Sequence, residues 1–119
     1  MALAALFFGL WAVPVSIGND AGAGEFRRFA IAIKNRKVDV AQKLIRVTRG
    51  DTLELEFSTD ETAELHLHGY DKLIKVDPAT PAVLHLDASI AGRFSIEAHG
   101  FGSARSGYHV LLLYLEVHP

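Results

Sequence analysis

Two histidines separated by one residue stand in the run Glu64-Leu65-His66-Leu67-His68-Gly69-Tyr70-Asp71. A third, His99, closes the run Gly92-Arg93-Phe94-Ser95-Ile96-Glu97-Ala98-His99. Residues two apart in an extended chain project from the same face, with Cβ atoms roughly 6.5–7 Å apart, so two imidazoles there can lean onto one ion. A strand-borne His-x-His is therefore half of a metal site, and completing it takes a further ligand from a neighbouring strand or loop. His99 is the first candidate and His109, beyond a glycine-rich stretch, the next, while Asp71 or Glu97 could add an oxygen. Gly69 and Gly100 each follow one of these histidines and permit a sharp change of backbone direction. The plainer reading is that His66 and His68 sit on the wet face of a strand and do nothing but keep it soluble. His85 and His118 read as solvent-facing, Asp60 and Glu61 as loop solvation, and Arg93 with Glu97 as a surface pair.

The donor atoms are restricted by what the chain lacks. It has no cysteine, and its single methionine is Met1. Any ion bound by the mature domain is held by imidazole nitrogen and by carboxylate or backbone oxygen, which excludes a sulfur-ligated electron-transfer centre and a thioether site selective for Cu(I). Nitrogen donors favour Cu(II) among the first-row divalent ions, and three imidazoles plus water also satisfy zinc. Imidazole must be neutral to bind, so affinity is expected to fall as pH drops through about 6.5.

The elements that must position these residues are strands. Phe29, Ile31 and Ile33 alternate with Ala30, Ala32 and Lys34, and Leu53, Leu55 and Phe57 alternate with Thr52, Glu54, Glu56 and Ser58. The same period of two returns at Leu65 and Leu67, at Leu84, Leu86 and Ala88, at Phe94, Ile96 and Ala98, and between Val110 and Val117. Arg49-Gly50-Asp51 reads as a tight turn, Ser58 to Thr62 as a polar loop, Asp77 to Pro81 as a turn, and Gly100 to Gly107 as a flexible loop. Only Asp39 to Leu44 offers a short helix or irregular excursion. Seven or eight short strands with regular turn signals predict an all-β, antiparallel sandwich.

Residues 1–18 carry no charged side chain, and the small residues Ala21 and Ala23 place a signal-peptide cleavage near residue 23. An uncleaved membrane anchor is the alternative, though the stretch is short for a bilayer and Pro14 interrupts it. No cysteine stands there to carry a lipid. Residues 1–23 are thus expected to deliver one domain, residues 24–119, to the periplasm or the exterior, with membrane contact only if the leader is retained. A domain of this size without disulfides depends on its core alone. With 14 acidic and 12 basic residues and a net charge of −2, it has no nucleic-acid footprint.

The run Ile45-Arg46-Val47-Thr48-Arg49-Gly50-Asp51-Thr52-Leu53 resembles the I-x-V-x-x-G-D-x-(hydrophobic) segment of the cupredoxin family. His66-Leu67-His68-Gly69 stands where that family places its first histidine ligand, and Gly92 to His99 is similar to its later G-x-(aromatic)-x-C-x-x-H segment. The last strand is similar as well, so the resemblance spans about residues 27 to 117. It implies a Greek-key β-sandwich, and it implies histidine-ligand positions at His68 (or His66) and His99. Ile96 falls at the position of the cysteine whose thiolate makes the family's blue centre, so the resemblance implies the fold without the electron transfer.

The favoured expectation is an exported metal-binding protein that buffers or delivers Cu(II), with zinc as rival, through His66, His68, His99 and His109. These imidazoles are expected to gather at one end of the sandwich. The alternative is a metal-free accessory module that meets a protein partner in the periplasm. An enzyme is not expected: a metal-bound water with Glu97 or Asp71 as base lacks a supporting nucleophile motif or carboxylate dyad.

Overall fold

The computed structural model describes residues 24–101 and 109–119. The expected leader and most of the glycine-rich loop lie outside the described residues. Among the described residues eight strands follow in order: β1 (Phe26–Ile33), β2 (Leu44–Thr48), β3 (Thr52–Thr59), β4 (Ala63–Leu67), β5 (Lys72–Val76), β6 (Ala82–Asp87), β7 (Gly92–His99) and β8 (His109–His118). The excursion between β1 and β2 is a single 3₁₀ turn, Val40–Gln42. No helix among the described residues is long and apolar enough to cross a membrane.

The strands form a three-stranded sheet, β1-β3-β6, and a five-stranded sheet, β2-β8-β7-β4-β5. Successive strands repeatedly switch sheets, so each sheet has one face sealed against the other. Period-two patterning produces that seal. Ile31, Ile33, Leu53, Leu55 and Phe57 point inward from one sheet and meet Leu65, Leu67, Ile96, Leu113 and Leu115 from the other, all at 1% exposure or less. Each such side chain contributes about 1.5–3 kcal/mol of burial free energy, which is how the domain does without disulfides.

Two features depart from the sequence expectation. Lys72–Val76 pairs with β4 as a strand that the patterning did not single out. The sandwich is also not purely antiparallel, because β1 pairs parallel to β3 and β2 parallel to β8. Alternation reports which face a residue occupies and carries no information about the direction of the neighbouring strand.

One buried acid ties the two sheets together. Asp51 is 4% exposed and accepts the N–H groups of Glu25 and Thr48, both at 2.9 Å. The entrance of β1 is thereby fixed to the β2–β3 turn, whose Gly50 has φ 100°. The Thr48 amide is the main cause of an Asp51 carboxyl held below its ordinary value, with the Glu25 amide and Arg27 assisting against burial.

Candidate metal centre

The same alternation that buries Leu65, Leu67, Ile96 and Ala98 turns Glu64, His66, Glu97 and His99 to the opposite face of the five-stranded sheet. Cross-strand register arranges them in rows. Lys75, Glu64, His99 and His109 form one row across β5, β4, β7 and β8, and Leu73, His66, Glu97 and Leu111 form the next. His68 follows β4 and extends the ladder by donating its backbone N–H to the Ser95 carbonyl at 3.0 Å. The expected gathering of imidazoles is therefore found, but on the outer face of one sheet. His99 closes β7, His109 opens β8 and His68 directly follows β4, so three of the four stand where strands end or begin.

His109 reaches this face because of a β-bulge. Ile96 pairs with Leu113 while Glu97 pairs with Leu111, leaving Leu112 as the extra residue. Leu112 and Leu113 are both buried, whereas Leu111 is 48% exposed. The bulge reverses the parity of β8, so that His109 faces outward although Leu113, Leu115 and Val117 face inward.

The rings are close. Centroids of His66 and His68 lie 4.1 Å apart, those of His66 and His99 6.2 Å, and those of His99 and His109 3.9 Å. Two overlapping groups each offer three ligand atoms within 4.8 Å of one another: His66, His68 and His99, all half-buried, and Glu97, His99 and the exposed His109. His99 belongs to both. Its Nε2 is shut off from solvent and has no hydrogen-bond partner among the described residues. Leaving a polar atom in that condition costs about 1–3 kcal/mol, which a bound ion or its coordinated water would recover. Beside His99 an open depression of about 300 Å³ is lined by Thr62, Ala63, Glu64, Lys75 and Gly100.

Carboxylates orient three of the rings. Glu97 Oε2 lies 3.1 Å from His68 Nε2 and 3.4 Å from His109 Nδ1, and Asp71 Oδ1 lies 3.1 Å from His66 Nε2. An ionised carboxylate only accepts, so each of those ring nitrogens donates its N–H to the carboxylate. Burial pushes the Glu97 carboxyl up, but the hydrogen bonds and charges of His109 and His68 outweigh it and hold it below its ordinary value. Asp71 returns to His66 through a turn in which Gly69 and Asp71 take φ of 87° and 53°. The Phe94 ring packs where a Gly69 Cβ would stand, and its edge contact with Tyr70 (4.7 Å) closes the turn.

The remaining sequence candidates lie elsewhere. His85 stands on the other sheet beside Glu54 at 3.6 Å, and His118 pairs with Glu116 at 2.7 Å. Arg93 stacks on Tyr114 (4.4 Å) and reaches Glu116 at 4.0 Å, so its expected pairing with Glu97 is replaced by a histidine-bound Glu97. Glu61 does more than solvate a loop, since Arg36 grips it with two nitrogens at 2.9 and 3.0 Å.

The donor set decides which metal chemistry this face can hold. Ile96 is 1% exposed between the sheets, on the opposite side of β7 from every histidine of the cluster. A thiolate–thioether blue centre does not fit these residues, whereas an ion bound by imidazole and carboxylate does.

No protein-family model matches the chain, and no curated protein matches it. Solved structures do. A chain of a heme-copper terminal oxidase dimer superposes with a TM-score of 0.60 at 15% identity, covering 77% of this chain and 65% of that one. A copper binding protein in the apo form gives 0.54 at 9% identity, over 80% of this chain and 90% of that one. A multi-copper oxidase from Pseudomonas thermotolerans gives 0.57 at 18% identity, over 81% of this chain and 30% of that one. This chain thus spans just under two thirds of the oxidase chain and less than a third of the multi-copper oxidase. At these identities the likeness is one of fold.

Proposed function

Because the fold is cupredoxin-like, we propose that this chain is an exported metal-binding domain that takes Cu(II) through histidine and carboxylate and buffers or delivers it. The ligands are His66, His68 and His99, with His109 and Glu97 adjoining. The observation that carries this reading is the buried Nε2 of His99, without a hydrogen-bond partner among the described residues and beside three other imidazoles. Neutral nitrogen donors suit Cu(II), and zinc is the competing ion. The role is custody of the ion and not electron transfer through a blue centre, for which the chain has no cysteine. Copper named in the structural neighbours agrees with this choice of ion.

Titration with Cu(II), followed by electron paramagnetic resonance, tests the reading. A nitrogen-coupled type-2 signal that saturates is expected, and it should vanish in the triple variant His66→Ala, His68→Ala, His99→Ala. An unchanged titration in that variant would refute it.

A second reading is a metal-free accessory module. The exposed Leu73 (60%) and Leu111 (48%) favour it, because they flank His66 and Glu97 in one row and offer a partner an apolar edge. Absence of any metal uptake by the untagged wild type would select it.

A further inference from the structure

Two three-residue groups sharing one ligand cannot both hold a separate ion in their own complete sets. We infer that the cluster is a two-station exchange device: His99 is a pivot, His66 and His68 complete the holding station, and Glu97 with His109 completes the release station. This rests on the metal-binding reading above and concerns how the ion leaves.

Three observations carry it. The holding group is half-buried throughout, whereas the release group includes His109, which is exposed and opens β8. The two groups lie side by side, since His99 is 6.2 Å from His66 on one flank and 3.9 Å from His109 on the other. Glu97 touches both, through His68 at 3.1 Å and His109 at 3.4 Å. While the ion is on the β4 side, Glu97 accepts hydrogen bonds from His68 and His109. When His66 and His68 give up the ion, the Glu97 oxygen and a His109 nitrogen take their places and His99 stays bound. Nothing is oxidised or reduced; two imidazole bonds to the ion break as one imidazole and one carboxylate bond form. The ion then sits with a ligand at the exposed edge, where an acceptor can reach it, and exchange proceeds without passing through a bare ion.

The test loads the full chain with one equivalent of Cu(II) and measures transfer to excess ethylenediaminetetraacetate by stopped flow. Losing a holding ligand and losing a release ligand should change the rate in opposite directions. His66→Ala should speed transfer by about tenfold, and His109→Ala should slow it by about tenfold, on the scale typical of altered metal shells. His85→Ala, on the other sheet, serves as the unchanged control, and circular dichroism checks that each variant is folded. If His109→Ala speeds transfer or leaves it unchanged while His66→Ala weakens binding, the groups form one site and the exchange device is wrong. Saturation at two ions per chain also overturns it. If neither His66→Ala nor His99→Ala alters Cu(II) binding, the metal-binding reading itself fails, and the exchange device fails with it.

Discussion

Ile96 and Glu97 are neighbours on β7, yet one is sealed between the two sheets and the other stands among the histidines on the outer face. A pleated strand sends successive side chains to opposite faces, so no rotamer of residue 96 can join the cluster. The thiolate position implied by sequence resemblance and the imidazoles are on different sides of one sheet.

Ile96→Cys therefore restores no blue centre. Addition of Cu(II) to this variant should give no thiolate-to-copper charge-transfer band in the visible spectrum, and the type-2 signal should remain. Shortening a fully packed side chain should cost about 1–3 kcal/mol in chemical denaturation. A blue colour would contradict the facing assigned here.

Glu97→Gln should weaken Cu(II) binding by about 10- to 100-fold, the usual cost of losing an orienting partner of ligating histidines. Both rings donate to the single oxygen Glu97 Oε2, and a neutral amide oxygen in its place would lose the charge that strengthens those two bonds. Competition titration against a chelator measures the loss. Equal affinity would mean that the carboxylate neither orients nor ligates.

Asp51→Asn should destabilise the fold by about 1–3 kcal/mol at neutral pH, because one of the two buried amides then faces an NH₂ group. The folded carboxyl is held below the ordinary aspartate value of 3.8, so the unfolded chain takes up the proton at higher pH than the folded one. The contribution is thus complete above that value and lost as pH falls through the depressed one. Urea denaturation from pH 7 downward should show wild type and variant converging only in strong acid. Curves that stay parallel throughout would argue against the charge.

Gly69→Ala should destabilise by about 1–3 kcal/mol, since φ 87° disfavours a Cβ and the Phe94 ring occupies its space. His68 directly precedes this corner, so Cu(II) affinity should fall as well. Thermal melts and metal titration of the same sample check the two effects together.

The sequence determined the composition of each face. Alternation at Leu65 and Leu67, and at Ile96 and Ala98, is enough to send His66, His68, Glu97 and His99 the other way, and the missing cysteine is enough to remove a blue centre. It also marked the 3₁₀ excursion and the Gly50 turn, because those depend on local backbone preference. Only the tertiary structure decided which strands lie side by side and in what register. Period two, counted back from Leu113, Leu115 and Val117, would have buried His109 in the core. The bulge at Leu112 reverses that parity and sets His109 against His99. A bulge arises from how one strand fits its partner, and the partner of β8 is chosen by packing between distant segments. For the same reason Glu97 reads as half of a surface pair in one dimension and stands between two histidines in three.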